Sequence, residues 1–260
     1  MKLIIFLMSV ISFFGPCVAQ AGRSPINVSG SGAVVTGGAT LTYEGFAASA
    51  ETTNVSTHNA ATTGLTIDSG DLIVLIGCPD RSGSDITQVC PDSGVGWNEV
   101  EYGVGGSASA EGVVCTKQNA DGTEDGGTLD WTTSSTQQSV SVVMVFNGHN
   151  TDTGTSEITC SAGTSADGTN DATSTALAIG DATDIMIRAF CSDAGFITTD
   201  TGFPSECDTN ITIHESVDGG SGPASGGVCL DASPTTSAVV WTSVFSPGAD
   251  STGFSCRVED

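Results

Sequence analysis

The stretch GDLIVLIGCPD, residues 70–80, decides the fold class. Gly70-Asp71 opens it as a turn, Leu72 to Ile76 are all large and apolar, and Pro79-Asp80 closes it. Strand side chains alternate between two faces. An unbroken apolar run between turn residues is therefore a strand covered on both sides, in the middle of a sheet. The phrase returns as GDATDIMIRAFCSD, residues 180–193.

Outward from these two strands, further candidates recur at short intervals, rich in Val, Ile or Thr and separated by Gly, Asp, Asn, Ser or Pro. They include Gly64–Ile67, Trp97–Val104, Gly112–Lys117, Thr128–Thr132 and Ser139–Asn147. In the second part are Ser174–Ile179, Thr209–Glu215, Gly226–Leu230, Ser237–Phe245 and Phe254–Val258. After the first residues nothing keeps a helical apolar spacing for three turns, so parallel β/α folds, which need crossover helices, are disfavoured. The expectation is an all-β, antiparallel, jelly-roll-like sandwich. Ser139-Val140-Ser141-Val142 alternates, which predicts a wet serine face there.

The repetition extends beyond the two phrases. A cysteine-containing loop, a Gly-Val-Cys strand (GVVC at 112–115, GGVC at 226–229) and a strand ending VFNG or VFSPG follow each in turn. The preferred reading is one domain over 51–260 built from two similar halves, about 64–160 and 174–258. Residues 22–50, rich in Gly, Ser, Thr and Ala, read as an extended leader or edge strand with a strand near Ala39–Tyr43.

Residues 1–21 have a basic Lys2, an apolar run from Leu3 to Phe14, then Gly15-Pro16 and small residues at Ala19 and Ala21. That is a secretory signal layout, and a run of about twelve residues is too short to span a bilayer. Without Cys17, eight cysteines remain: Cys78, Cys90, Cys115, Cys160, Cys191, Cys207, Cys229 and Cys256. An even number in a secreted chain predicts disulfides. Closing the short loops favours Cys78–Cys90 and Cys191–Cys207, and the symmetry of the two halves then pairs Cys115–Cys160 and Cys229–Cys256. The rival scheme pairs strand cysteines, Cys78–Cys115 and Cys191–Cys229.

The chain has 30 Asp and Glu against 6 Lys and Arg, a net charge of −24. Such a surface repels nucleic acid and anionic membranes. No nucleic-acid partner and no membrane insertion are expected, and the expected location is extracellular or at a cell surface.

Several stretches carry possible chemistry. DTGTS at 152–156 and DTG at 200–202 have the letters of an aspartic protease pair but lack the apolar strand leading into the Asp. His58, His149 and His214 form no metal-ligand or triad motif and read as solvated surface residues. The acidic turns NADGTEDGG (119–127) and ADGTND (166–171) offer oxygen ligands of the kind calcium uses. Asp121, Glu124 and Asp125 are the first candidates, although no cofactor is required. Trp97 and Trp131 flank turns and are candidate rings for a sugar-binding face, while Trp241 reads as core. Asn27, Asn54 and Asn210 lie in glycosylation sequons.

SGDLIVLI with Gly96-Trp97, then VVCTKQNADG, then SVSVVMVFNG resembles a β-sandwich module of bacterial and phage surface and structural proteins, over about residues 60–258. The resemblance implies display on surfaces, fibres or virions and carries over no catalytic residues. The expected function is a secreted, non-enzymatic surface, fibre or adhesion module whose partner is a glycan or another surface protein. The alternatives are a carbohydrate-binding module and, behind it, a jelly-roll glycan lyase or hydrolase.

Overall fold

The computed structural model describes residues 26–30, 41–80, 86–91, 96–104, 110–149, 158–164, 172–180, 183–192, 207–214, 224–232, 234, 240–241 and 251–259. Among them there is no helix. The strands, in chain order, are β1 (Ile26–Gly30), β2 (Thr42–Ala61), β3 (Leu72–Pro79), β4 (Gln88–Val89), β5 (Trp97–Val104), β6 (Glu111–Lys117) and β7 (Thr128–Asn147). They continue as β8 (Ile158–Thr164), β9 (Ala172–Thr173), β10 (Ile185–Ser192), β11 (Thr209–His214), β12 (Ser225–Asp231), β13 (Val240–Trp241) and β14 (Ser251–Val258).

Two antiparallel sheets form a sandwich. The first runs β1-β2-β7-β3-β6-β5, with β4 attached to β7. The second runs β11-β12-β10-β14-β8. The opening phrase is β3, flanked by β7 and β6 and buried along its whole length. Its inward residues Leu72, Val74 and Ile76 meet Ile185, Ile187 and Ala189 of β10 in the core between the sheets. Ile73 and Leu75 point the other way, into a second cluster on the outer side of the first sheet.

The two sheets repeat one strand order. β2-β7-β3-β6-β5 in one corresponds to β8-β14-β10-β12-β11 in the other, so strands up to Asn147 form the first sheet and those from Ile158 the second, with β2 ahead of the halves drawn from the sequence and β8 moved across their boundary. The counterpart of β7 is therefore β14, residues 251–258, rather than the Ser237–Phe245 segment. Of that segment only Val240–Trp241 is described, as the short strand paired with β9. Gly64–Ile67 and Ser174–Ile179 are not strands. Thr128–Thr132 and Ser139–Asn147 are two ends of one 20-residue strand.

β2 straddles the boundary placed at residue 50. It is rich in Ala, Ser and Thr rather than Val and Ile, and it is a strand because both its edges are paired, with β1 and β7. Its register with β7 shifts between Glu51 and Val55 and again between Val55 and Thr57. Beyond these irregularities, which bend a ribbon, Thr57–Ala61 pairs with Thr128–Thr132. The bent ribbon covers the outer face of the first sheet, placing Leu129 and Trp131 against Ile73, Leu75 and Val113. Gly77 makes room: a Cβ there would lie 2.9 Å from the Trp131 ring.

All eight cysteines are paired, but not as either sequence scheme had it: the bridges are Cys78–Cys191, Cys90–Cys115, Cys160–Cys256 and Cys207–Cys229. Side-chain alternation is the reason. Cys78 follows Leu72, Val74 and Ile76 into the inter-sheet core, where Cys191 arrives with Ile187 and Ala189. Cys90 and Cys115 lie in the outer cluster, on the opposite face of the sheet from Cys78. Cys160 and Cys256 are register partners on β8 and β14. Cys78–Cys191 thus joins counterpart strands of the two sheets, Cys160–Cys256 links neighbouring strands within the second sheet, and Cys90–Cys115 and Cys207–Cys229 repeat one bridge in each sheet. Four disulfides point to an oxidising compartment.

Candidate functional site

His58 and Ser139 are the first pair to test, because a hydroxyl beside an imidazole is the unit of nucleophilic catalysis. The Ser139 Oγ lies 2.8 Å from His58 Nδ1, and the Thr133 Oγ1 lies 2.9 Å from Nε2. Thr133 donates its hydroxyl hydrogen to the Ser135 carbonyl at 2.7 Å. It therefore accepts from Nε2–H, and Nδ1 accepts from Ser139. The ring stacks on Trp131, centroids 4.4 Å apart, and is 0% exposed. Burial pushes its pKa down from 6.5 to about 4. Among the described residues both ring nitrogens are taken by hydroxyls and no carboxylate orients the imidazole, and the ring has no exposed surface, so this is a structural hub tying the bent ribbon to β7.

That hub corrects three expectations. His58 is buried, and so is His149, whose pKa burial also lowers. The His214 side chain lies outside the described residues. Ser139 and Ser141 are buried rather than wet, because Ser139 serves His58 and Ser141 accepts from Trp131 Nε1 at 2.9 Å. Trp131, at 0% exposure beneath His58, cannot be a sugar platform.

A groove of about 660 Å³ does open on the outer side of the first sheet. One wall is the acidic turn after β6. Thr62 clamps that turn: its Oγ1 donates to the Glu124 carbonyl at 2.7 Å and accepts from Gly127 N at 2.8 Å, and its own N–H reaches the Gly127 carbonyl at 3.0 Å. Positive φ at Asn119, Gly122 and Gly126 lets the chain turn this tightly. The floor is the outward face of the ribbon, Thr128, Asp130 and Thr132. The far rim is Val89 and Pro91; Val89, 42% exposed, is the one exposed large apolar residue among those described.

The acidic candidates meet here with a partner the sequence reading did not include. Lys117, at the end of β6, contacts the Glu124 carboxylate and lies 3.3 Å from Asp121 Oδ2. Burial lowers the lysine pKa, but the hydrogen bonds and charges of Glu124 and Asp121 outweigh it and raise the value. Asp121 Oδ1 accepts from Thr123 N at 2.9 Å. Its pKa falls to about 2, through the Thr123 hydrogen bonds first and Lys117 second. The Lys117 ammonium thus sits between the carboxylates of Asp121 and Glu124. Asp125 is exposed and does not join them. Among the described residues no group of three His, Cys, Asp or Glu side chains is placed to hold a metal. Residues 166–171, 152–156 and 200–202 lie outside the described residues.

Trp97 does line the groove, but at 6% exposure it presents no open ring. Sequence reasoning missed Lys117, Asp130, Thr128 and Thr132. Alternation in TLDWT (128–132) was the signal available: with Leu129 and Trp131 inward, the other three face out. Comparison with family models, curated proteins and solved structures finds no match for this chain.

Proposed function

We propose that the chain is a secreted, non-enzymatic module of a surface or fibre, akin to the β-sandwich units of bacterial and phage surface proteins. It acts by presenting a preformed groove and loops from a rigid body. The observation that carries this reading is the combination of a doubly bridged core with one clamped polar groove outside it. Cys78–Cys191 ties the sheets together, and Cys90–Cys115 anchors the segment that forms the groove's rim. Preorganised walls suit recognition, because little ordering entropy is lost on binding. The His58–Ser139 pair is sealed from solvent, so that hydroxyl–imidazole unit has no access to substrate.

Beads coated with the disulfide-intact chain test the proposal in flow over cell and matrix surfaces. They should be retained above albumin-coated beads, and retention should fall after reduction. Retention equal to albumin on every surface refutes it, and so does steady release of reducing ends from polysaccharides by the dissolved chain, which would make it an enzyme.

A further inference from the structure

We infer that the groove binds a short neutral saccharide, with Asp130 and the flanking Thr128 and Thr132 hydroxyls as the groups that recognise its hydroxyls. This rests on the module reading above and names its ligand. The volume, about 660 Å³, is that of a site for a compact organic ligand rather than for a single ion or amine head. Its lining divides by chemistry: carboxylates and threonine hydroxyls on the wall and floor, and Val89 with Pro91 as an apolar rim. A sugar ring has the same division, with hydroxyls around its edge and C–H groups on its face.

Asp130 supplies the pointed observation. It is exposed on the floor, with the Thr128 and Thr132 hydroxyls on either side of it along the strand, so acceptors and donors meet a ligand in one row. Glu124 stands behind them: one oxygen is held by Lys117 and Oε2 is closed off from the groove, so it sets the local charge without touching the ligand. Charge sets the specificity. Three carboxylates face one ammonium in the groove, on a chain of net charge −24, so uronic, sialylated and sulfated glycans are repelled.

The test uses the disulfide-intact chain on an array of neutral, acidic and amino oligosaccharides, followed by titration calorimetry with the best neutral ligand. Asp130→Asn should weaken binding about 10-fold, the scale of one lost charge-assisted hydrogen bond. Thr128→Trp, at an exposed position that folding does not need, should fill the groove and abolish binding. Asp208→Asn, on the other sheet, should change nothing. Neutral-sugar binding that survives both groove variants overturns the site. Binding confined to acidic glycans or to amines overturns the ligand class. Bead retention without any saccharide binding overturns this inference alone, whereas loss of both overturns the module reading as well.

Discussion

Protonating His58 should unlock the bent ribbon, and the size of the effect follows from its surroundings. In the folded chain the imidazole is neutral, between Ser139 and Thr133 and stacked on Trp131, with a pKa pushed down to about 4. In the unfolded chain it titrates at its ordinary 6.5. The unfolded state therefore binds more protons between these values, and stability rises with pH across that window. Above pH 6.5 the residue imposes no penalty. The penalty grows as pH falls and is complete below about 4. At about 1.4 kcal/mol per pH unit it reaches roughly 3 kcal/mol. His58→Gln is the matched variant, since its amide offers one donor for Thr133 and one acceptor for Ser139. Urea unfolding with disulfides intact, from pH 4 to 7.5, should show wild type losing stability relative to the variant as pH falls. Other titrating groups cancel in the difference, including His149, lowered by burial, and Asp71, raised by it. A wild-type minus variant difference that stays constant from pH 6.5 to 4 would refute the assigned neutral state.

Peptide mapping without reduction should recover Cys78–Cys191 and Cys160–Cys256, two links between distant parts of the chain; a Cys78–Cys90 peptide contradicts the fold. Replacing Cys78 and Cys191 together by Ala should cost about 4 kcal/mol in thermal or urea unfolding, because a loop of 113 residues is released from closure. Gly112→Ala should cost about 1–3 kcal/mol, since its Cβ would sit 2.6 Å from the Cys191 sulfur and 2.8 Å from the Phe254 ring. Lys117→Met should cost about 3–5 kcal/mol at neutral pH by leaving Glu124 buried without its counter-charge. Adding Glu124→Leu should restore most of that loss, and a double variant no better than the single one would show that the pair is not coupled.

What the sequence alone determined was the set of strands whose composition has one solution. Leu72–Ile76 is apolar on both faces and Ile185–Phe190 is apolar but for Arg188, whose charge is paired with Asp231, and only a position inside a sheet covers both faces. The cysteine order 78, 90, 115, 160 against 191, 207, 229, 256 suggested two equivalent halves; the two sheets do share a strand order, but Cys160 lies on β8 in the second sheet beside Cys256, so the fourth pair is not equivalent. The long strand β2 was not legible past residue 43, because its Ala, Ser and Thr residues are held by ladder partners on both sides rather than by their own propensity. The bridges needed the tertiary structure as well: loop length speaks of closure entropy, but which face of a sheet a cysteine takes decides which sulfur it can meet. The groove is the same case. Asp121 and Glu124 stood out as acidic residues on a turn, but their meaning depended on Lys117 and on Asp130, which the bent ribbon brings from another strand. Local pattern fixes which side chains share a face; only the folding of one face onto another decides which charges and hydroxyls become neighbours.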